Sequence, residues 1–413
     1  MKDYRSIRIE DYTYELPEGR IAKYPKEKRD ESKLLHFREG EISTSIFKDL
    51  PDLLKPDDLL VFNNAKVIQA RLAFQKETGA NIEIFCLEPH EPADYNLAFQ
   101  ATGQSEWKCL VGNLKKWKSD YLYKDIEING LSYQIGAKKV GVSGNAVIIK
   151  FEWYNVDSEC LCSSITFGDI LENIGSTPLP PYLNRKAEIE DKTRYQTVYA
   201  KQKGSVAAPT AGLHFTDKVF EKLSRKGIKT EEVTLHVSAG TFRPVQSETI
   251  DGHEMHEEHF EIKIDALELL LIHTGRVISV GTTSVRTLES LYWMGVKLIN
   301  NESEPFVISQ WEAYEMPENI DLKISLRAIK NYMEQNKLTV LLASTRIIIV
   351  PGYDFKVIKG LVTNFHQPQS TLLLLIAAVI GNKWKEVYHY ALANDYRFLS
   401  YGDSSLFFIN RNE

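Results

Sequence analysis

Two loops of small residues, each carrying one histidine, are the most chemically suggestive features of this 413-residue sequence. Residues 204–216 read Gly-Ser-Val-Ala-Ala-Pro-Thr-Ala-Gly-Leu-His-Phe-Thr and place His214 just before a predicted helix. Residues 361–371 read Leu-Val-Thr-Asn-Phe-His-Gln-Pro-Gln-Ser-Thr, and His366 again precedes a helix start. Small side chains let the backbone approach a ligand closely, and a histidine can take or give a proton near neutral pH. The two loops therefore predict a site for a charged, nucleotide-like ligand, with acid–base chemistry beside it.

Two predicted helix starts offer places for an anionic group. The apolar run 277–280 predicts a buried strand, and residues 281–284, Gly-Thr-Thr-Ser, begin the helix that follows. Ser370 and Thr371 begin another helix in the same way. Free backbone N–H groups and the positive end of the helix dipole suit a carboxylate or a phosphate. The alternative is that these hydroxyls only cap their own helices, but the presence of two such turns favours a ligand site.

Familiar nucleotide and metal motifs do not explain the sequence. It contains neither G-x-G nor G-x-x-x-x-G-K-[ST], which argues against a dinucleotide-binding fold and against a methyltransferase of the Rossmann type. His253, His256 and His259 are spaced by three, so on a helix the outer two would diverge by about 120°. This geometry is poor for a metal, and we predict no metal site.

A net charge of −6 does not indicate nucleic acid, so any RNA site would need a local basic patch. Basic residues alternate with tyrosines between residues 182 and 203, and from this cluster we predict RNA contacts by Arg185, Lys192, Arg194 and Tyr195. A second basic cluster, residues 107–118, surrounds two tryptophans. The alternative for either cluster is an ordinary solvated surface. We expect charge reversal in the first cluster to weaken RNA binding more than reversal in the second.

Composition indicates an ordinary globular protein. Its 43% hydrophobic and 26% charged residues are typical values, and its length allows two domains with their own cores. Cysteines 86, 109, 160 and 162 form no C-x-x-C pair, which favours free thiols in a reducing compartment. No apolar signal segment follows the N-terminus, and the apolar run 372–380 is far shorter than the ~20 residues of a membrane span. We expect a cytoplasmic protein with no membrane partner.

The order of predicted strands and helices indicates two kinds of architecture. Between residues 66 and 155, short apolar or alternating runs broken by glycines predict a small β-barrel or sandwich. Elsewhere strands alternate with helices, and Thr216 is a good N-cap for a helix over 217–226. The predicted fold class is α/β, with a discontinuous α/β domain of residues 1–65 and 156–413 and a smaller inserted β-barrel domain of residues 66–155.

Long segments across the chain resemble, in order, the motifs of one enzyme family. The matching segments are residues 16–25, 29–35, 58–63, 178–182, 194–200, 204–216, 234–237, 239–242, 255–256, 281–289, 351–353, 361–371 and 396–403. Together they are similar to the S-adenosylmethionine:tRNA ribosyltransferase-isomerase family of queuosine biosynthesis. The resemblance covers most of the chain and implies a two-domain α/β fold with a small β-barrel insert.

The resemblance implies that S-adenosylmethionine (AdoMet) is a ribosyl donor and the co-substrate, with no other cofactor. The ribosyl group moves onto 7-aminomethyl-7-deazaguanine at the wobble position of tRNA and isomerises, giving epoxyqueuosine and releasing adenine and methionine. The sulfonium charge acidifies the ribose C5′ protons, so a general base can remove one, and a general acid would help adenine to leave. The expected partner is the tRNA anticodon stem-loop, and we expect the protein to act as a monomer.

The matching motifs supply candidates for each role. We expect acid–base chemistry from His214, His366 and Asp403, without deciding which group is the base and which the acid. The expected ligand-binding residues are Thr210, Gly212, Thr282, Thr283, Arg286, Asn364, Ser370, Thr371 and Tyr401. Replacing either histidine by glutamine is expected to lower turnover by about 10²–10⁴ and to change AdoMet affinity much less. A purely binding role would give the reverse pattern.

The chain also departs from the family's pattern. Asn64 stands where a carboxylate is usual, Lys66 where an arginine is usual, and Ser238 where a glycine is usual. Residues 300–342 form a segment longer than the family usually carries, in which residues 321–333 predict a packing helix. Because the changes at 64 and 66 could alter substrate binding, a paralogue with a different acceptor is one alternative. A non-catalytic RNA-binding protein is another, and it should not bind AdoMet.

Overall fold

The computed structural model describes residues 4–76, 78–157, 165–237, 245–317 and 319–409. Ser238, the segment 239–242, Cys160 and Cys162 lie outside the described residues. Within them the strands are β1 (Lys33–Arg38), β2 (Glu41–Ile46), β3 (Leu59–Asn63), β4 (Ala65–Val67), β5 (Arg71–Gln75), β6 (Asn81–Glu91), β7 (Gln104–Val111), β8 (Tyr121–Ile128), β9 (Leu131–Ser143), β10 (Ala146–Asn155), β11 (Gln202–Ser205), β12 (Lys229–Leu235), β13 (Glu258–Lys263), β14 (Val277–Val280), β15 (Val307–Ile308), β16 (Val340–Thr345), β17 (Ile358–Asn364) and β18 (Ser404–Phe408). The helices are α1 (Leu50–Leu53), α2 (Tyr95–Gln100), α3 (Phe167–Ile174), α4 (Asp191–Arg194), α5 (Asp217–Arg225), α6 (Ile264–Ile272), α7 (Thr282–Ile299), α8 (Leu322–Gln335), α9 (Thr371–Ile380) and α10 (Trp384–Ala393).

A ten-stranded sheet organises most of the chain, with strand order β15-β16-β13-β12-β3-β14-β17-β18-β1-β2. Its centre, β12-β3-β14-β17, is parallel. Parallel strands are covered on both faces, which explains why β3 is apolar almost throughout. Leu59 and Val61 pack into the core cluster that contains α7, whereas Leu60 and Phe62 pack into the cluster that contains α5. Successive side chains of one strand therefore stabilise two different layers of helices.

A six-stranded antiparallel sheet, in the order β5-β6-β7-β10-β9-β8, forms the second architecture. It lies within residues 71–155, and its two edge strands β5 and β8 come into contact, so the sheet nearly closes on itself. The predicted fold class, α/β with a smaller β-barrel, is confirmed. We propose the same domain boundaries, residues 66 and 155, that the sequence pattern indicates.

Two helices predicted from local signals are present. Helix α5 begins where Thr216 caps it by accepting a hydrogen bond from the Val219 N–H at 3.4 Å, and it ends just before Gly227. Helix α8 packs against α7, and Leu326, Ile329 and Met333 are fully buried. Among the described helices, none combines the length and the apolar character needed to cross a bilayer.

Candidate functional site

The candidate site lies at the carboxyl ends of the central parallel strands. Strand β14 leads into α7, and β17 leads into the loop that precedes α9. Since β14 and β17 are parallel neighbours, the residues that follow both strands meet at one edge of the sheet. In open α/β sheets this edge is where ligands bind.

Two clefts share a wall at this edge. The first cleft is lined by residues 207–211, 281–283 and 363–367, together with Tyr182, Val237, Ser370, Leu372, Leu399 and Ser400. The second cleft is lined by His253, Met255, His256, Glu258, Arg286, residues 347–349, Thr371 and Leu375. Thr282, Thr283 and Leu372 line both clefts. The two clefts are therefore neighbouring compartments of one site.

Eight of the predicted site residues meet in these clefts. Thr210, Thr282, Thr283, Asn364, His366 and Ser370 line the first, and Arg286 and Thr371 line the second. The structure thus brings together the two small-residue loops and both helix starts. His214, Gly212, Tyr401 and Asp403 lie outside both cleft walls.

The start of α7 presents polar groups that its own helix leaves unused. No side chain caps this N-terminus, and Gly281 before it has a φ of 89°, which an L side chain rarely adopts. The Thr283 Oγ1 atom is buried and has no hydrogen-bond partner among the described residues. Ser370 at the start of α9 differs, because its hydroxyl accepts from the Leu373 N–H at 3.2 Å and donates to the Gln367 carbonyl at 2.7 Å. The Ser370 hydroxyl is thus occupied at its own helix start, whereas the Thr283 hydroxyl in the first turn of α7 is left without a partner among the described residues.

His366 is the histidine that lines the first cleft. Its Nε2 lies 2.9 Å from the Thr363 hydroxyl, and its backbone N–H donates to the Tyr388 hydroxyl at 3.1 Å. Burial lowers the pKa of His366 to about 3, so the imidazole is neutral at pH 7. A neutral imidazole is the form that can accept a proton from a ligand.

His214 sits behind the wall of the first cleft. Its Nδ1 lies 2.8 Å from the Ser32 hydroxyl, and its Nε2 accepts a hydrogen bond from the Asn364 amide at 3.1 Å. This network places the proton on Nδ1. Burial is the main reason that the pKa of His214 is lowered to about 3. Asn364 lines the first cleft and His214 does not, so His214 is linked to the cleft wall through its hydrogen bond to Asn364.

Asn364 itself has an unused atom in the cleft wall. Its amide nitrogen donates to His214 and to the Leu399 carbonyl at 3.2 Å. The side chain is 2% exposed, and Oδ1 has no partner among the described residues. The Thr283 hydroxyl and this carbonyl are thus two buried polar atoms of the cleft wall that no described residue satisfies.

The other predicted residues support the site from a distance. The Asp403 carboxylate accepts the backbone N–H groups of Lys33 and Arg397, both at 2.8 Å, so both of its oxygens are used. The Tyr401 hydroxyl donates to Asp191 at 2.9 Å. Gly212 is packed so closely that an added Cβ would lie 1.8 Å from the Tyr199 hydroxyl. None of these three residues is among those that line the two clefts.

Glu258 is a residue of the second cleft that the sequence did not single out. It is 2% exposed and pairs with Arg286, whose Nε also donates to the Ile347 carbonyl at 3.0 Å. His253 and His256 line the same cleft, whereas His259 does not. Within the described parts of the chain, no group of three possible ligands could hold a metal. The residues next to Glu258 in the sequence do not indicate a site, because the residue with which it pairs, Arg286, is distant in the chain.

The structure separates the predicted RNA-contacting residues into side chains that are held within the protein and one that remains exposed. Arg185 forms two hydrogen bonds of 2.7 Å with Asp191, Arg194 donates to the carbonyls of residues 26 and 27, and Tyr195 is fully buried. Arg185 and Arg194 are thus bonded to other groups of the protein, and Tyr195 is enclosed in its core. Lys192 is the exception, since its side chain remains 45% exposed. In the second cluster Trp107 and Trp117 are buried, so neither can stack on a base.

The substitution at position 64 has a structural explanation. The Asn64 amide donates to Glu232 at 3.1 Å and its carbonyl accepts from the Thr234 hydroxyl at 2.7 Å. A carboxylate at this position would face the Glu232 carboxylate, and the amide avoids that repulsion. Asn64 lines neither of the two clefts.

Comparison with known proteins identifies relatives over the whole chain. The family model described as queuosine biosynthesis protein matches residues 9–407. An S-adenosylmethionine:tRNA ribosyltransferase-isomerase of Halothermothrix orenii is 39% identical over 412 residues, covering 97% of this chain and 99% of the relative. Another, of Desulfitobacterium hafniense, is 36% identical over 409 residues with the same coverage of both chains. The crystal structure of an S-adenosylmethionine tRNA ribosyltransferase from Thermotoga maritima is 27% identical, covers 96% of this chain and 99% of that one, and has a TM-score of 0.45.

Proposed function

Because the chain belongs to the S-adenosylmethionine:tRNA ribosyltransferase-isomerase family of queuosine biosynthesis, we propose that it carries out that reaction. It transfers the ribosyl group of AdoMet to 7-aminomethyl-7-deazaguanine at the tRNA wobble position and isomerises it to epoxyqueuosine. Adenine and methionine leave. The enzyme is a transferase and isomerase, and AdoMet is its co-substrate.

The observation that carries the site assignment is the pair of buried polar atoms without a partner in the first cleft. Asn364 Oδ1 can accept a hydrogen bond, and Thr283 Oγ1 can donate or accept one. Leaving such an atom unpaired costs about 1–3 kcal/mol, which a bound polar ligand would recover. AdoMet offers amino, hydroxyl and carboxylate groups that fit both atoms. We assign the first cleft to AdoMet, with its carboxylate at the start of α7.

The second cleft is assigned to the acceptor base. Its walls at residues 347–349, Leu372 and Leu375 are apolar, as the faces of a purine-like ring require. The Glu258–Arg286 pair provides an acceptor and donors for the polar edge of the base. The shared wall at Thr282 and Thr283 lets the ribosyl group pass from one compartment to the other.

Within this site we assign proton transfer to His366 and positioning to His214. His366 lines the AdoMet compartment, and we assign its neutral imidazole to accept a proton from the acidified ribose carbon. His214 supports Asn364 through a hydrogen bond of 3.1 Å. Asp403 retains a positioning role, because both of its oxygens already accept backbone N–H groups.

Further parts of the proposal concern the surroundings of the reaction. We also propose that the protein acts as a monomer. The expected partner is the anticodon stem-loop of tRNA, and we propose the cytoplasm as the compartment because the substrate is tRNA. No cofactor besides AdoMet enters the proposal.

The test is a reaction with defined RNA. Purified protein, AdoMet and an anticodon stem-loop that carries 7-aminomethyl-7-deazaguanine should release adenine and methionine and yield epoxyqueuosine in the RNA. The same stem-loop with guanine at the wobble position is the control and should release no adenine. A folded sample that binds AdoMet but releases no adenine with the modified stem-loop would contradict the proposal.

A further inference from the structure

Three lysines converge on a separate cleft. Lys66, Lys192 and Lys203 line it together with Gln69, Thr193 and Gln196, and we refer to it as the lysine cleft. By contrast, Arg185 and Arg194, which belong to the same stretch of sequence, are tied to groups of the protein itself. Lys192 and Lys203 in the lysine cleft are paired only with Glu172 among the described residues, and their side chains stay close to half exposed.

The strand pairing forces two of these lysines together. Lys66 on β4 and Lys203 on β11 are direct partners in a parallel two-stranded ribbon. Like charges at opposed positions destabilise a strand pair. One carboxylate, Glu172, serves the cluster, at 3.3 Å from Lys203 and 3.4 Å from Lys192. Three ammonium groups against one carboxylate leave a charge of 3 − 1 = +2 in the cleft.

These ion pairs are readily exchanged for others. The side chains of Lys192, Lys203 and Glu172 are 45–48% exposed, and exposed ion pairs contribute only about 0–1 kcal/mol. Lys66 forms no ion pair with any described residue. An incoming anion would therefore relieve the repulsion between the lysines without breaking a strong contact.

The position of the lysine cleft indicates which kind of anion would bind there. Strand β11, which carries Lys203, runs on into residues 207–209 in the wall of the first cleft. Four residues of extended chain span at most about 14 Å. A chain of phosphates bound at the lysine cleft would thus pass close to the proposed reaction site. A polyanion with repeated phosphates fits this arrangement better than a single small anion, since the lysines approach from both strands and from α4.

We propose that the lysine cleft binds the phosphodiester backbone of the RNA substrate beside the nucleotide that is modified. This inference rests on the proposed function, because it takes the RNA substrate from it. Lys66 and Lys203 contact phosphates directly, and Lys192 exchanges its contact with Glu172 for one with the RNA.

The test uses the single variants Lys66→Gln and Lys203→Gln and the double variant in the full-length protein. Binding of the unmodified anticodon stem-loop is measured over a range of salt concentrations. Each lost phosphate contact should reduce the slope of log K against log salt by about 0.7 and weaken binding about fourfold near physiological salt. AdoMet affinity and turnover at saturating RNA should stay at the wild-type values. Lys66→Arg, which keeps the charge, should bind RNA like the wild type.

Lys201→Gln is the matched control. Lys201 lies on the same segment and is 62% exposed, but it is paired with Glu232 outside the lysine cleft. It should leave RNA affinity and salt slope unchanged. If the wild type binds RNA and the double variant binds it with the same affinity and slope, the inference is wrong while the proposed function stands. If the variants weaken AdoMet binding instead, the lysines act on the first cleft and the inference is again wrong. A wild-type protein that neither binds the stem-loop nor releases adenine would overturn the proposed function as well.

Discussion

At the scale of single residues, the polar side chains of this site fall into two groups. In one group the hydrogen-bonding atoms are already paired within the protein, and in the other they are not. Asp403 and Ser370 are satisfied by backbone groups. Thr283 Oγ1 and Asn364 Oδ1 are not. Satisfied groups stabilise the fold, and we propose that the unsatisfied pair in the first cleft serves the ligand.

Thr283→Val tests this distinction. Valine keeps the shape and removes a buried hydroxyl that lacks a partner, so the free energy of unfolding of the ligand-free protein should stay the same or rise. AdoMet affinity should fall about fivefold to tenfold, the worth of a hydrogen bond of about 1–1.5 kcal/mol. Urea unfolding and calorimetric titration measure the two quantities.

Thr287→Val is the control for that substitution. Thr287 is fully buried one turn further along α7 and donates to the Thr283 carbonyl at 3.2 Å. The Thr287→Val substitution should lower the free energy of unfolding and leave AdoMet affinity unchanged. The opposite result, a destabilised Thr283→Val protein with wild-type affinity, would show that the hydroxyl has no role in binding.

The two histidines should behave differently on substitution. His366→Gln should lower turnover by about 10²–10⁴ with little change in AdoMet affinity, because it removes the proton acceptor. His214→Gln should lower turnover less and weaken AdoMet binding, because it acts through Asn364. Single-turnover rates and AdoMet titrations distinguish the two patterns. Equal losses of turnover, with intact binding in both variants, would place His214 in direct catalysis after all.

At the scale of elements, the start of α7 depends on one glycine. Gly281 has φ 89° and ψ 152°, a conformation that costs other residues of order 1–3 kcal/mol. An added Cβ would meet nothing closer than 3.7 Å, so the obstacle is the backbone and not space. Residues 281–283 at this turn line the first cleft, and the first N–H groups of a helix have no partner within the helix itself.

Gly281→Ala should therefore lower both stability and AdoMet affinity, because relief of the strain rotates the N–H groups of the first turn. Gly275→Ala is the matched control, since Gly275 also has a positive φ, 79°, and has free space around it, but it lies in the turn after α6. It should lower stability by about 1 kcal/mol and leave affinity unchanged. Equal affinities for the two variants would remove the α7 N-terminus from the binding site.

At the scale of the whole molecule, buried neutral histidines make stability depend on pH. The pKa of His214 is lowered from 6.5 to about 3, chiefly by burial. The unfolded chain therefore binds a proton more readily than the folded protein. The contribution of His214 to stability is fully present above pH 6.5 and is lost as the pH falls from 6.5 toward 3.

We expect the free energy of unfolding to fall on acidification, with His214 contributing up to ~1.4 kcal/mol per pH unit below 6.5. Urea unfolding of the wild type and of His214→Gln between pH ~7 and ~5 measures this contribution as the difference in slope. The carboxylates contribute equally to both proteins and cancel. Parallel slopes would mean that the pKa of His214 is the same in the folded and the unfolded protein.

The sequence by itself determined the local elements and the family. The apolar run before Gly281, the cap at Thr216 and the period of residues 321–333 each predicted an element that is present. These signals are local, because a strand, a cap and an amphipathic helix depend on neighbours a few residues apart. The ordered motifs also led to the family, which the relatives confirm.

Only the tertiary structure decided which polar side chains are available. Asp403 is used by Lys33, 370 residues away, and Arg185 by Asp191 across a turn. Lys66 and Lys203 become neighbours through the pairing of β4 with β11. Residue type and spacing tell which chemistry a side chain can do, but its partners come from segments that are distant in the chain. Availability is therefore a property of the packed molecule, and no local pattern encodes it.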